Sequence, residues 1–140
     1  MGKRRRAREL AVSFLYQLEF HPDDPEGAMK AFWRDRPAPP EVKAFADELV
    51  RGTLKHKEAI DKILAEHTEH WSLPRMALVD RNILRMAVYE LLFRSGIPEK
   101  VTINEAIEIA KAYGTEESGK FVNGILDRVK GLRGGPPLIE

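Results

Sequence analysis

The sequence predicts an all-α protein of six to seven helices, and three observations carry that prediction. Apolar residues recur at i, i+3, i+4 and i+7 through most of the 140 residues. No stretch alternates apolar and polar residues as a half-buried strand would, and no internal repeat is present. The interruptions are short and rich in proline and glycine, which suits obliquely packed helices joined by tight connections.

The first helix is predicted over about residues 4–20, where Ala7, Leu10, Ala11, Phe14, Leu15 and Leu18 form one apolar stripe. The segment His21–Pro25 ends it. Asp24 before Pro25 reads as an N-cap followed by proline at the first helical position, opening a short helix through Met29, Phe32 and Trp33. The PAPP run at 37–40 stops that helix. Val42, Phe45, Leu49, Val50 and Leu54 mark the next one, and after a break near Lys55–Lys57 the pattern resumes with Ile60, Ile63 and Leu64. Beyond Ser72–Pro74 lies the longest pattern, about 75–95, with Val79, Ile83, Leu84, Ala87, Val88, Leu91 and Leu92 on a broad apolar face. This is the expected central helix. Thr102 and Glu105 have the spacing of a capping box, which places the next helix at about 103–113, with Gly114 as a left-handed terminating residue. A last helix over about 116–131 carries Phe121, Val122, Ile125, Leu126 and Val129. The domain is expected to span 1–131, and 132–140 is expected to be a disordered tail.

Composition narrows the function. No apolar stretch approaches the roughly 18 residues that span a bilayer, which excludes membrane insertion. The basic start is not followed by a signal-peptide pattern. The chain has no cysteine, so disulfides and thiolate metal sites are out, which suits the cytoplasm. Lys and Arg number 23 against 22 Asp and Glu, giving +1 overall, so any attraction for nucleic acid must come from local clustering.

Such a cluster opens the chain: Lys3, Arg4, Arg5, Arg6 and Arg8 lie within six residues. On a helical wheel Arg5, Arg8, Val12 and Tyr16 fall together beside the apolar stripe, an expected exposed cationic strip ending in an aromatic. Guanidinium groups pair with phosphates and stack on unpaired bases, and a phenol adds a stacking surface, so the combination suits single-stranded RNA. Three arginines at a helix N-terminus also oppose the macrodipole, and Lys3–Arg6 are therefore expected to be mobile without an anion. A solvated basic end is the competing reading. A second candidate lies at Lys111, Tyr113, Ser118, Lys120 and Phe121, around a helix N-terminus that could take a phosphate, or could be no more than a polar connection. His67 and His70 share a helix face, but no third ligand is near and no metal is assigned. Asp80, Arg81, Arg85, Glu90 and Arg94 read as a solvated mixed-charge face that could also meet a partner. No glycine-rich phosphate loop, nucleophile elbow or cysteine nucleophile is present, so no enzyme and no cofactor is proposed.

Four stretches go beyond periodicity: RRARELAV from Arg5, RNILRMAVYEL from Arg81, VTINEAIEIAK from Val101 and KFVNGILD from Lys120. In this order they resemble the bacterial NusB family of transcription antitermination factors across about residues 4–130. No methyltransferase region is present, so the resemblance is to the free-standing factor and not to the related domain of ribosomal RNA cytosine methyltransferases. It implies two small packed helical bundles. It also implies pairing with ribosomal protein S ten (NusE), binding of the boxA segment of single-stranded RNA, and read-through by RNA polymerase within an antitermination complex. By motif it carries RNA binding onto Lys3, Arg4, Arg5, Arg6, Arg8 and Tyr16, and onto Lys111, Tyr113, Ser118 and Phe121, while Asp80 corresponds to a position facing the ribosomal protein. A homodimer that hides the RNA surface is also allowed. Two rivals stay open: a helical DNA-binding protein using the arginine-rich helix in a major groove, and a structural protein whose exposed face self-associates.

Overall fold

The structure, a computed structural model, describes residues 2–68 and 73–133. The helices are α1 (Lys3–Leu18), α2 (Pro25–Asp35), α3 (Pro40–Lys55), α4 (Lys57–Glu66), α5 (Leu78–Val88), α6 (Glu99–Tyr113) and α7 (Glu116–Val129), and no strand occurs among the described residues. A π-helical turn, Tyr89–Phe93, extends α5, and short 3₁₀ turns occupy Leu73–Arg75 and Lys130–Leu132.

Two small bundles share one helix. On one side α1 packs along α3 with α2 across its end; on the other α6 packs along α7; α5 runs between them and touches α1, α3, α4, α6 and α7. One continuous apolar cluster fills both, from Ala7 and Phe14 through Leu49, Ile60, Ile83 and Leu84 to Val122 and Leu126.

Local chemistry explains most boundaries. Asp24 caps α2 by accepting the Gly27 amide at 3.0 Å, with Pro25 at the first helical position. Phe32 holds α2 down, edge-on to Phe14 at 5.4 Å, and the Trp33 indole N–H donates to Asp47 at 2.9 Å. Gly52 is required because Tyr89 crosses α3 there: a Cβ would lie 2.1 Å from the ring.

Three expectations are corrected. Pro98 caps α6, which therefore starts at Glu99, and Thr102 and Glu105 lie inside the helix. The reciprocal capping box is instead Thr115 with Ser118, at the start of α7. Gly114 has φ −104°, outside the left-handed region; glycine is needed because a Cβ would meet the Ser118 hydroxyl at 2.4 Å and the Ala110 carbonyl at 2.9 Å. After α7, Leu132 closes a 3₁₀ turn and Arg133 donates to the Ile97 carbonyl at 2.6 Å. The tail expectation for 134–140 lies outside the described residues, as does His70.

The mixed-charge set on the central helix is largely buried rather than solvated. Residues 82–91 are buried without interruption, because neighbours surround α5 on all sides. Its asparagine and arginines are matched by carboxylates of other elements. Asn82 donates to Glu19 at 3.0 Å and to the Leu78 carbonyl at 2.9 Å. Arg85 donates to Asp61 at 2.8 and 3.0 Å and to Glu19 at 3.2 Å, and Arg81 donates to the same Glu19 oxygen at 2.7 Å.

Replacing Gly52 by alanine is expected to destabilise the protein by about 1–3 kcal/mol, since Tyr89 cannot retreat from a filled core. Equilibrium urea unfolding measures it, and an unchanged midpoint would contradict the crossing geometry.

Candidate nucleic-acid interface

The basic residues begin α1 immediately, and the helix has no side-chain N-cap and no acid in its first turn. The unfavourable dipole is offset by carboxylates of α3 and α6 and by one of α1 itself. Lys3 pairs with Glu41 of α3 at 2.7 Å, Arg5 donates to Glu105 of α6 with its Nε at 3.0 Å, and Arg6 lies 3.7 Å from Glu9. Arg4 sits over the Phe45 ring, 4.7 Å from its centroid. Lys3–Arg6, expected to be mobile, are therefore helical and paired, because carboxylates of the fold supply the anion that the helix end requires.

Arg8 departs furthest from expectation. The wheel predicts it on the exposed strip, yet it is 2 % exposed, and Val12 beside it is also buried. Its guanidinium donates from Nε to Glu90 at 3.0 Å and from Nη2 to the other Glu90 oxygen, and lies 5.4 Å from the Phe45 centroid. Thr102 donates its hydroxyl to Glu90 at 2.9 Å, and Glu105 stands 3.6 Å from Arg8. The wheel places Arg8 on the border of the apolar stripe, and α5 with α6 closes over that border.

The second candidate region adjoins the first. Tyr113, at the end of α6, is 52 % exposed; burial, then the charge and hydrogen-bonding influence of Glu9 of α1, hold its phenol above the ordinary value. Lys111 lays its stem across Gly119, where an added Cβ would lie 3.1 Å from its Cγ. Ser118 is buried: its oxygen accepts the Thr115 amide at 3.0 Å and its hydroxyl donates to Asp80 at 3.2 Å, so it organises the start of α7 rather than presenting a hydroxyl to solvent. Phe121, half-buried, lines an open cavity of about 840 Å³ together with Arg75, Met76, Asp80 and Lys120. Asp80 is 9 % exposed, and its second carboxylate oxygen meets no partner among the described residues. Tyr16 stands apart, edge-to-face with exposed Phe20 at 5.4 Å, roughly 15 Å along α1 from Arg6 at 1.5 Å per residue.

The periodicity reading missed Glu9, Glu90, Glu105 and Phe45, which hold the basic turn. One signal was available: Pro98 followed by Glu99 marks a helix start, which turns Glu105 from a capping residue into a side chain two turns inside α6. Among the described residues no three His, Cys, Asp or Glu are grouped to hold a metal, and no helix is long and apolar enough to cross a membrane.

The fold and this edge define an all-helical protein of two bundles on a shared central helix, with a cationic turn set among carboxylates and aromatic rings. A profile of the NusB family matches residues 5–130, and the chain belongs to that family. It is 59 % identical over 129 residues to the transcription antitermination protein NusB of Desulfitobacterium hafniense (strain DSM 10664 / DCB-2), an alignment covering 90 % of this chain and 86 % of the relative. Among solved structures it is similar to T. maritima NusB, with TM-score 0.85 and 47 % identity over 93 % of this chain and 92 % of the other. It is also similar to a chain from a crystal structure of antitermination factors NusB and NusE in complex with double-stranded RNA, with TM-score 0.85 and 30 % identity, covering 94 % and 98 %.

Arg8→Ala leaves Glu90 buried without its cation and should cost about 3–5 kcal/mol, whereas Arg4→Ala should cost less than about 1 kcal/mol. Denaturant unfolding of both variants separates them, and equal small losses would refute the buried role. Stability should also fall in acid. Hydrogen bonds and charge from Arg5 hold the Glu105 carboxyl below its ordinary value. For Glu19, burial acts upward but is outweighed by hydrogen bonds from Arg81 and Asn82 and the charges of Arg81 and Arg85. Both contributions are complete above the ordinary carboxylate range and are lost as pH falls through the depressed folded values. Thermal midpoints taken from neutral into acid should drop, and less steeply in Glu105→Gln; parallel curves would contradict this.

Proposed function

We propose that this chain is an RNA-binding transcription antitermination factor that pairs with ribosomal protein S ten (NusE) and holds boxA-type single-stranded RNA, promoting read-through by RNA polymerase in ribosomal RNA operons. It is an adaptor without chemistry of its own and works in the cytoplasm. The observation that carries the RNA reading is the joining of two regions a hundred residues apart. Arg5 of α1 donates to Glu105 of α6 at 3.0 Å and Glu9 of α1, beside Arg6, acts on the Tyr113 phenol, so the cationic turn of α1 and the end of α6 form one edge. Family membership supplies the expectation of RNA and of a NusE-type partner.

On that edge Lys3, Arg4, Arg5 and Arg6 meet phosphates, Lys111 extends the positive field, and Tyr113 and Phe121 offer rings to bases. Tyr16 is reached only by a strand running along α1. Arg8 and Ser118 act from beneath, by fixing α1 and the start of α7. Asp80, with its unmatched oxygen in the cavity, is assigned to the ribosomal protein, whose basic groups would satisfy it. The relative's complex holds double-stranded RNA, so the preference for a single strand rests here on the exposed aromatics, which a stacked duplex cannot engage. The major-groove alternative is disfavoured because the buried stripe of α1 docks on the core along its whole length. With net charge +1, binding by the chain alone should be modest, and a basic partner adds positive field and contact.

The test is binding of a fluorescent boxA-like single-stranded RNA, with and without the ribosomal protein, for wild type and Arg4→Ala/Arg6→Ala. These positions are chosen because the buried Arg8 would confound folding with binding. The partner should strengthen binding, the double substitution should weaken it about 10-fold or more with unchanged circular dichroism, and duplex DNA should compete poorly. No preference for that RNA by protein or mixture would overturn the proposal. Sedimentation with and without RNA tests the masking homodimer, which RNA should dissociate.

A further inference from the structure

The cationic turn is not a bare patch. Of its five cations, Lys3, Arg5, Arg6 and Arg8 face four carboxylates, Glu41, Glu105, Glu9 and Glu90, while Arg4 sits over the Phe45 ring. Glu90 is fully buried and locked to Arg8. The other three sit at the surface side of the turn. Glu105 is the most committed of them. Its carboxylate accepts the Arg5 Nε at 3.0 Å with one oxygen and at 3.2 Å with the other, takes the Arg5 Nη2 as well, and stands 3.6 Å from Arg8. Its side chain is 16 % exposed against 31 % for Arg5, so the carboxylate lies behind the guanidinium as seen from solvent.

We propose that Glu105 is a specificity-determining residue of the RNA edge: a resident carboxylate that competes with RNA phosphate for Arg5. The proposal rests on the RNA reading above. A phosphate arriving at Arg5 exchanges one anion for another, and it gains less than it would at an unpaired guanidinium. Non-specific binding of RNA is made almost wholly of phosphate contacts, so this handicap falls most heavily on sequences that offer nothing else. A strand that also stacks bases on the edge, or is held by the partner protein, overcomes it. Glu41 on Lys3 and Glu9 on Arg6 act in the same sense but more weakly, the first because the pair is exposed and the second because it is long. Near-neutrality of the edge thus becomes a filter against generic polyanions rather than a deficit of positive charge.

The experiment compares wild type, Glu105→Gln and Glu41→Gln, each with the ribosomal protein, for binding to a boxA-like RNA and to a scrambled RNA of equal length over a range of salt. Glutamine keeps the shape and can still accept from Arg5, and Arg8 retains Glu90, so the fold should survive. Circular dichroism and thermal melting check it. Glu105→Gln should bind the scrambled RNA about 10-fold tighter and the boxA-like RNA only about two- to threefold tighter. The logarithmic salt slope should steepen by about 0.7, the value for one further phosphate neutralised on a single strand. Glu41→Gln should shift both affinities the same way by a smaller factor, and it carries the test if Glu105→Gln fails to fold. Weaker or unchanged binding by folded variants would overturn the proposal and make Glu105 a mere support for Arg5. If wild type binds neither RNA, the RNA reading itself falls, a result distinct from wild-type binding that the substitutions leave unaltered.

Discussion

The structure depends on one buried ion pair. Arg8 comes from the first helix and Glu90 from the π-helical turn that prolongs the central one, and both are within 2 % of complete burial. Two charges at that depth are tolerable only if matched nearly completely, and here Thr102 and Glu105 contribute from the sixth helix. The pair therefore ties α1, α5 and α6 together at one point, where the two bundles meet. A π turn accommodates an extra residue per turn, a local irregularity that regular helix geometry disfavours. In this chain it coincides with the acid that accepts Arg8.

From that anchor the outer face follows. With α1 held by its fifth cation, the preceding turn projects beyond the core, and its remaining charges find Glu41, Glu105, Glu9 and the Phe45 ring. Phe45 receives the guanidinium groups of Arg4, Arg8 and Arg94 at 4.7–5.4 Å, so its ring joins buried and exposed parts of the same cationic cluster. Recognition and stability thus share a side-chain network, while Asp80 and the cavity beside α7 form a second, differently charged region.

Much of this was legible in the residues. Helix number, the Asp24–Pro25 start and the apolar stripes follow from periodicity and capping chemistry, which act over a few residues. The cationic turn was visible for the same reason. What escaped were contacts across the fold. A wheel cannot tell that Arg8 lies under α6 while Arg5, three residues earlier, lies at its edge, because the difference comes from helices nearly a hundred residues away. Glu90 looked like part of a solvated face because central helices in small proteins usually expose one side, and this one exposes almost none between 82 and 91. Glu105 was misread for a simpler reason: its spacing from Thr102 mimics a cap.

The division between Arg8 and its neighbours bears on how such a chain can change over time. A single replacement at Arg8 or Glu90 strands a charge in the interior, so drift at either position is blocked unless both change together. Lys3, Arg4, Arg6 and Glu41 are exposed, and replacing any one of them strands no charge in the interior. The strength of the recognition face can therefore be retuned one residue at a time while the scaffold beneath it stands still.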